Sequence, residues 1–177
     1  LSRRQKELGV VCIDIGSSCT GVTVFEEGVL RHAAIIPVGG EYVTSDIALG
    51  VRVSVDVAEK LKTDYADLTF CDQSKPKDEE IALNRIDKKE TETVSKLYLA
   101  QIAQARYKEI LSLVNSELKR LGRDGMLPEG AVFVGGGSKA RNLIELAKAE
   151  LRLPCSIGFP EDQEYVTGTS VSDPGFA

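Results

Sequence analysis

The chain has 177 residues, of which 42% are apolar and 28% charged, and a net charge of −5. This balance is typical of one globular domain, or of one domain with a small appendage, and it supplies enough apolar side chains for a core. The negative charge, with no basic cluster denser than Leu118–Arg123, argues against nucleic acid as the main partner. The sequence contains no apolar run of membrane-spanning length, and we expect no signal peptide.

Cysteine and histidine give little support to a metal centre or to histidine-based catalysis. His32 is the only histidine and lies in a strand-like run, and the four cysteines form no C-x-x-C pair. Reduced thiols in a cytosolic protein are the favoured interpretation. The cysteines are Cys12, Cys19, Cys71 and Cys155.

The first third of the chain predicts a strand meander followed by two helices. Alternating apolar residues give way to helical spacing, and Ser54 stands where a helix N-cap is expected. The predicted elements are strands Leu8–Ile15, Gly21–Glu26 and Val29–Val38 and helices Glu41–Val51 and Val55–Tyr65.

Composition shifts at Asp67, and the chain is highly charged from there to Thr93. Alternation predicts a short strand at Ile81–Ile86, so we interpret this stretch as a small excursion, with disorder as the alternative. A long helix is predicted over Val94–Leu121, with Gly122 as its terminator. Its predicted apolar stripe is Leu97, Ile102, Ala105, Ile110, Leu113, Val114 and Leu118.

The last predicted elements are a buried strand, a helix and another strand. The strands are Ala131–Val134 and Pro154–Phe159, and the helix carries its apolar residues at helical spacing. An antiparallel start followed by parallel crossovers predicts an α/β fold. The apolar helix residues are Leu143, Ile144, Leu146, Ala147 and Leu151.

The stretch "VVCIDIGSSCTGVTVFEEG" breaks an apolar strand with an aspartate and a run of small residues. We take the turn as Gly16–Gly21, longer than the two residues of an ordinary hairpin. Asp14 lies at its base, and small side chains leave backbone N–H groups accessible. A loop that wraps a phosphate and a loose hairpin both remain open.

The stretch "AVFVGGGSKARNLIELA" places three glycines between a buried strand and a helix that is predicted to start at once. Glycine lets the backbone approach a ligand, and a helix N-terminus attracts anions. Ordinary connections in α/β folds also use glycine, so a ligand role stays open here. In "DVAEKLKTDYA", Glu59 and Lys62 share a helix face, and a surface ion pair is the favoured interpretation of that pair alone.

Taken together, these motifs resemble the second half of the actin-like ATPase superfamily. Their order is D-x-G-S-S-x-T, G-G-x-x-x-T-x-D-I-A, A-E-x-x-K and G-G-G-S-K. Within the superfamily the chain is most similar to the FtsA family of bacterial cell-division proteins, as in "QARYKEILSLVNSEL". Only the insertion Thr69–Glu92 matches poorly. A pilus-assembly relative is the nearest competitor, and a sugar-kinase-like enzyme lobe is a further alternative.

The resemblance implies a ribonuclease-H-like lobe: a mixed sheet with flanking helices and a small outer subdomain. Residues 1–66 and 123–177 would form the nucleotide-binding core subdomain of the second lobe, and 67–122 the outer subdomain. The family's first lobe is expected before Leu1, and its C-terminal tail is expected after the last residue of this chain. We therefore expect this chain to be a piece of a longer protein.

The resemblance also implies an ATP and Mg²⁺ site. Asp14 would hold the metal or its water shell, while Glu59 and Lys62 would face the ribose and base in the same cleft. Lys139 would lie close to the base. Phosphate would meet the backbone N–H groups of Gly16, Ser17, Ser18, Cys19 and Thr20, and the adenosine would lie over Gly135, Gly136, Gly137 and Ser138.

One stretch departs from the family pattern, which typically reads D-I-G-G-G-T-T-D where this chain has D-I-G-S-S-C-T-G. Ser17 and Ser18 carry β-carbons where glycines are usual, so a positive φ would cost about 1 kcal/mol at each. Gly21 replaces a carboxylate at the exit of the loop. These changes predict retained nucleotide binding with at most weak ATPase activity.

Family membership implies partners as well. FtsA proteins polymerise into actin-like filaments and tie the tubulin-like protein FtsZ to the inner face of the cell membrane, through a terminal segment that we expect to lie beyond this chain. Arg106 matches the position that meets the acidic FtsZ C-terminal tail, and Lys96 is a nearby helper. A pure interaction domain with a degenerate nucleotide site is the remaining alternative.

Overall fold

A computed structural model describes residues 1–68, 79–88 and 91–159 of the chain. None of the helices in these ranges combines the length and apolarity needed to cross a membrane. The helices are α1 (Arg3–Leu8), α2 (Gly40–Val51), α3 (Val55–Tyr65), α4 (Lys96–Arg120) and α5 (Leu143–Leu151). The strands are β1 (Val10–Ile15), β2 (Thr20–Glu26), β3 (Val29–Ile36), β4 (Glu80–Ala82), β5 (Thr93–Ser95), β6 (Ala131–Val134) and β7 (Cys155–Ile157).

Five strands form one mixed sheet in the order β3–β2–β1–β6–β7. β1, β2 and β3 pair antiparallel, as the predicted meander requires. β6 joins the other side of β1 in parallel, and β7 follows β6 in parallel. β4 and β5 form a separate antiparallel pair. The predicted α/β class with a mixed sheet is confirmed.

Strand β1 lies at the centre of the sheet, and its side chains alternate between two faces. Val11, Ile13 and Ile15 are fully buried on one face. On the other face Cys12 is half-buried and Asp14 is exposed. The strand therefore ends with a carboxylate open to solvent, directly before the first predicted loop.

The chain divides into two compact units. The first comprises Leu1–Gly40, Ile110–Lys139 and Leu143–Ala177 and contains the five-stranded sheet. The second comprises Glu41–Glu109 and Ala140–Asn142 and contains α3 and the β4–β5 pair. The division into core and outer subdomains concerns the longer family fold and stays a prediction.

The helix-end signals are confirmed at two places. Ser54 caps α3, because its Oγ accepts a hydrogen bond from the N–H of Val57 at 3.4 Å. Gly122 ends α4 with a φ of 65°. The N–H of Arg123 then donates to the Leu118 carbonyl at 2.9 Å. This Schellman ending satisfies a carbonyl of the last turn.

The strand predicted to start at Leu8 starts at Val10, because a helix precedes it. Ser2 and Gln5 form a capping box: Ser2 Oγ accepts from the Gln5 N–H at 3.2 Å, and the Gln5 side chain accepts from the Ser2 N–H at 2.9 Å. Gly9, with a φ of 110°, separates the helix from β1. The S-x-x-Q pattern was the signal for this helix.

The predicted strand at Ile81–Ile86 is correct only as far as Ala82. A 3₁₀ turn, Leu83–Arg85, takes over there. The strand's partner is β5, which occupies the residues where the long helix was predicted to begin, so α4 starts at Lys96. Residues 69–78 and 89–90, with Phe70 and Cys71, lie outside the described ranges.

Two other strands are shorter than predicted. The strand predicted over Val29–Val38 ends at Ile36, directly before Pro37. The strand predicted over Pro154–Phe159 is reduced to Cys155–Ile157. Proline has no N–H to donate to a neighbouring strand, which explains a boundary beside it in both cases.

The apolar stripe predicted for α4 is only partly correct. Ile110, Val114 and Leu118 are buried, whereas Ala105 and Leu113 are exposed, and Leu97 and Ile102 are half-buried. The predicted stripe missed two leucines, two alanines and one tyrosine on the buried face. The buried positions of α4 are Leu99, Ala100, Ala103, Tyr107, Ile110, Leu111, Val114 and Leu118.

Candidate functional site

Two predicted loops lie side by side because β1 and β6 are parallel neighbours. The first loop, Gly16–Cys19, follows β1, and the second, Gly135–Lys139, follows β6. Asp14 stands opposite Val134 in the strand register. The carboxyl ends of parallel strands share one edge of a sheet, where α/β folds commonly bind ligands. The structure therefore brings these two loops together.

Asp14 and Gly135 are packed against each other. A β-carbon on Gly135 would overlap Oδ1 of Asp14 and would lie 2.7 Å from the Ile15 carbonyl oxygen. Gly135 also has a φ of 83°, in the region that favours glycine. The backbone of the second loop can thus run directly beside an exposed carboxylate.

Ser138 holds the second loop in shape. It is buried, and its Oγ donates to the Gly135 carbonyl at 2.7 Å, while its N–H donates to the same oxygen at 3.1 Å. A β-carbon on Gly137 would lie 2.9 Å from Cβ of Ile15. Gly136 differs, because a β-carbon there would have no heavy atom within 4 Å. Two of the three glycines are therefore required by packing.

The prediction that an α-helix starts directly after the glycines is wrong. A 3₁₀ turn, Gly136–Lys139, follows β6, and α5 begins only at Leu143. Asn142 separates them with a φ of 61°, and its side-chain amide donates to Asp67 at 2.8 Å. The N–H groups nearest the glycines belong to the 3₁₀ turn, at whose end Lys139 is exposed.

The first loop is shorter than predicted, because Thr20 and Gly21 already belong to β2. The N–H of Gly16 donates to the Cys19 carbonyl at 2.9 Å and closes the turn. Neither Ser17 nor Ser18 has a positive φ, so the expected backbone strain does not arise. Both serines and Cys19 are exposed.

Thr20 faces the interior rather than a ligand. It is fully buried, and its hydroxyl donates to the Val38 carbonyl at 2.8 Å. This side chain therefore ties the start of β2 to the residues after β3. A contact between Thr20 and phosphate would have to use its backbone.

Gly39 opens the G-G-x-x-x-T-x-D-I-A motif but was not predicted as a residue of the site. A β-carbon there would lie 2.7 Å from both the Cys19 nitrogen and the Gly16 carbonyl oxygen. The neighbouring Gly40 N–H donates to that same carbonyl at 2.9 Å. The G-G pair before α2 was the available signal, since a glycine at position 39 permits close contact with the first loop.

In the second unit, Glu59 and Lys62 form the predicted pair on α3 and share a third partner. Lys62 Nζ lies 2.6 Å from Glu59 Oε2 and donates to Thr44 Oγ1 at 2.8 Å, and the Thr44 hydroxyl donates to the same Glu59 oxygen at 2.5 Å. Thr44, which stands in the G-G-x-x-x-T-x-D-I-A motif but was not predicted as a site residue, is buried. Burial alone would raise the pKa of Glu59, but the hydrogen bonds from Lys62 and Thr44 and the charge of Lys62 together lower it.

Arg106, on α4 in the second unit, forms ion pairs with two carboxylates of the chain. Its Nε and Nη2 donate to the two carboxylate oxygens of Asp46 at 2.7 and 3.0 Å, and its Nη1 to Glu109 at 2.5 Å. The Tyr42 ring centre lies 5.7 Å from Cζ. The hydrogen bond to Asp46 raises the pKa of Arg106. Lys96 begins α4 and donates to Glu79 at 2.9 Å.

The predicted site residues thus fall into two groups, one in each unit. Asp14, the first loop and the second loop belong to the first unit, and Glu59, Lys62, Lys96 and Arg106 belong to the second. Across the described ranges, no cluster of three His, Cys, Asp or Glu side chains could hold a metal. A cation at Asp14 would therefore need further oxygen ligands from elsewhere.

Comparison with solved structures identifies the fold. MreB5 of Spiroplasma citri bound to AMPPNP matches with a TM-score of 0.68 and 21% identity, over 86% of this chain and 49% of that one. A chain of the PilM–PilN type IV pilus biogenesis complex matches with a TM-score of 0.68 and 16% identity, over 98% of this chain and 44% of that one. The lobe has the actin-like ATPase fold, as predicted.

Sequence comparison then gives the family. The family model of cell division protein FtsA matches residues 11–177. FtsA of Pseudomonas aeruginosa is 36% identical over 169 residues, covering 94% of this chain and 40% of that protein. FtsA of Bacillus subtilis is 34% identical over 176 residues, covering 97% of this chain and 39% of that protein. The chain belongs to the FtsA family of cell division proteins and spans about two fifths of the length of these relatives.

Proposed function

We propose that this chain supplies the phosphate- and metal-facing loops of an ATP site in an FtsA-type cell-division protein. The observation that carries the proposal is the packing of Gly135 against the exposed carboxylate of Asp14. That contact brings the two loops together at the carboxyl ends of β1 and β6. Relatives of this fold have been crystallised with AMPPNP and with ADP, which agrees with a nucleotide ligand for the class.

Each loop has a role suited to Mg-ATP. Asp14 offers one carboxylate to Mg²⁺ or to its water shell, and phosphate oxygens and water supply the remaining oxygens that Mg²⁺ prefers. The Gly16–Thr20 stretch is proposed to face the phosphates, and because the Gly16 N–H closes the turn on the Cys19 carbonyl, the N–H donors would come from the residues after Gly16. Gly135–Ser138 permits the ligand to approach the backbone, because only Ser138 carries a side chain and that side chain points inward to the Gly135 carbonyl.

Hydrolysis is a weaker expectation than binding. Gly21 stands directly opposite Asp14 in the β1–β2 register, and a β-carbon there would lie 3.6 Å from Cβ of Asp14. The family resemblance places a carboxylate at this exit of the loop. Without it, Asp14 has no second carboxylate at that position with which to orient an attacking water, so we expect slow turnover at most.

Glu59 and Lys62 remain separate candidates for ribose and base contacts. Their mutual ion pair and shared hydrogen bonds to Thr44 fix both side chains on α3. A carboxylate oxygen can accept from ribose hydroxyls, which is the chemistry proposed for Glu59. Lys139, exposed at the end of the second loop, is the candidate nearest the base.

The proposal extends to the partners of the whole protein. Arg106 and Lys96 would receive the acidic C-terminal tail of FtsZ, because arginine binds carboxylates with two hydrogen bonds. The longer protein would polymerise into actin-like filaments and link FtsZ to the inner face of the membrane through a terminal segment. FtsA family membership supports these roles.

The nucleotide part is tested by calorimetric titration of Mg-ATP into a protein containing the complete family fold. Wild type is compared with Asp14→Ala and with Asp124→Ala, which removes an exposed carboxylate of the first unit away from both loops. We expect Asp14→Ala to bind Mg-ATP at least about tenfold more weakly, ~1.4 kcal/mol, and the control variant to bind it with the affinity of wild type. The chain alone should bind no tighter than about 1 mM, ~−4 kcal/mol. Equal affinity in all three variants would contradict the proposal.

The partner part is tested with a synthetic FtsZ C-terminal tail peptide. Arg106→Ala should weaken binding by about 1–3 kcal/mol if a charge-assisted hydrogen bond is lost. Arg120→Ala removes an exposed arginine of the same helix and is the matched control. Unchanged affinity of the Arg106 variant would remove this residue from the partner site.

A further inference from the structure

The guanidinium of Arg106 has two edges on which a carboxylate can bind through two hydrogen bonds. Nε and Nη2 form one edge, and Asp46 fills it with both of its oxygens at 2.7 and 3.0 Å. Nη1 and Nη2 form the other edge, where Glu109 accepts from Nη1 at 2.5 Å. An incoming carboxylate therefore meets a cation whose two edges are both engaged.

The two acidic partners hold Arg106 with different strength. Asp46 makes two hydrogen bonds across sixty residues of sequence, and its side chain is 30% exposed. Glu109 makes a single bond from three residues further along the same helix, and its side chain is 50% exposed. Exposed pairs of this spacing contribute little stability because water competes for both charges. Glu109 is thus the more easily displaced of the two.

Tyr42 further restricts the guanidinium. Its ring centre lies 5.7 Å from Cζ of Arg106, within the range of a cation–π contact. With Asp46 on one edge and this ring at one face, the side chain of Arg106 is held from two directions. The Nη1–Nη2 edge is then the one that a ligand can open.

We infer that Glu109 is an internal competitor for the partner's carboxylate and that Asp46 is a positioning residue for Arg106. This inference rests on the proposed role of Arg106 as the tail-binding residue. Arg106, Asp46 and Glu109 together carry a net charge of −1, so an acidic peptide is repelled until Glu109 swings away. The partner's carboxylate then takes the Nη1–Nη2 edge, while Asp46 stays in place.

Neutralising Glu109 and neutralising Asp46 should therefore change the affinity for the tail peptide in opposite directions. Glu109→Gln removes the competitor and the excess negative charge, and we expect the FtsZ tail peptide to bind roughly two- to fivefold tighter. Asp46→Asn places amide N–H groups near the guanidinium and releases its orientation, and we expect binding to weaken by about fivefold or more. Asp46→Glu, which keeps the carboxylate, should restore part of that loss.

The experiment is calorimetric titration of the peptide into wild type, the two neutralised variants, Asp46→Glu and Arg106→Ala. Glu145→Gln, an exposed glutamate on α5, is the matched control and should leave affinity unchanged. Thermal unfolding of each variant separates lost folding from lost binding. If Asp46→Asn is unfolded, Asp46→Ala, which removes the carboxylate, takes its place, and equal or tighter binding by Asp46→Ala than by wild type would overturn the positioning role.

The outcomes distinguish this inference from the proposed partner site. If Arg106→Ala weakens binding but Glu109→Gln leaves it unchanged or lowers it, the competitor role is overturned and the partner site stands. Tighter binding by Asp46→Asn would overturn the positioning role of Asp46. If Arg106→Ala has no effect, the partner site itself fails and the inference fails with it.

Discussion

The carboxylate of Asp14 occupies the space that a side chain at Gly135 would need, so β1 and β6 end in a contact that only glycine permits. Gly135→Ala would introduce both an overlap and an unfavourable positive φ. We expect it to lower the free energy of unfolding by about 2–4 kcal/mol. Urea denaturation followed by circular dichroism measures the change.

Gly136→Ala is the control for that prediction, because a β-carbon at Gly136 meets no heavy atom within 4 Å. It should change the free energy of unfolding by no more than about 0.5 kcal/mol. If the Gly135 and Gly136 variants were equally stable, the close contact between Asp14 and Gly135 would be contradicted.

Cys19 provides a chemical probe of the first loop. It is exposed, whereas burial raises the pKa of Cys12 and raises that of Cys155 to about 11. At pH 8 only about one Cys155 thiol in a thousand is ionised, so alkylation there is slow. We expect iodoacetamide to modify Cys19 before the half-buried thiols of Cys12 and Cys155, as measured by peptide mass spectrometry.

The same labelling reports on the proposed ligand. If phosphate lies against Gly16–Thr20, saturating Mg-ATP should slow the modification of Cys19 in the protein with the complete family fold. Labelling of Cys155 should not change, because that thiol is limited by burial. An identical Cys19 rate with and without nucleotide would place the ligand away from this loop.

Glu59 should contribute a pH-dependent part of the stability. Its pKa in the folded chain lies below the ordinary value of 4.5, so the ionised form favours folding. This contribution is present above about pH 4.5 and is lost as the pH falls through the lower, folded-state pKa. We expect Glu59→Gln to flatten the fall of the unfolding free energy between about pH 5 and pH 3, as measured by urea denaturation at each pH.

The control for that measurement is Glu145→Gln, which removes an exposed glutamate of α5. Its curve should parallel the wild-type curve. A Glu59→Gln curve that also runs parallel to wild type would show that Lys62 and Thr44 do not stabilise the Glu59 carboxylate.

Local patterns predicted the sheet and most helices because the relevant signals lie within a few residues. The alternation in β1 and the glycine after α4 are examples of such signals. The buried face of α4 was harder to predict, because Tyr107 and small alanines are buried there in place of Ala105 and Leu113. That choice depends on neighbours distant in sequence.

Prediction of the site from the sequence was limited in the same way, by contacts between residues distant in sequence. Asp14 and both glycine loops were predicted from short motifs, but the role of Gly39 arises from a contact with Gly16 and Cys19, which lie far earlier in the sequence. Thr44 was likewise passed over, because its hydroxyl becomes informative only when α2 and α3 are seen to place it beside Glu59 and Lys62. Partners such as Asp46 for Arg106 also require the folded chain.

The central claim is that Asp14 faces the metal of a bound Mg-ATP, and the most direct test is the Mg²⁺ dependence of ATP affinity. Calorimetry on the protein with the complete family fold gives the ratio of ATP affinities with and without Mg²⁺, for wild type and for Asp14→Asn. We predict that Mg²⁺ tightens binding to wild type and that the ratio falls towards about one in the variant, since the amide carries no charge for the cation. The same ratio in both proteins would contradict the account, and the Ile13–Phe25 stretch would then be an ordinary hairpin.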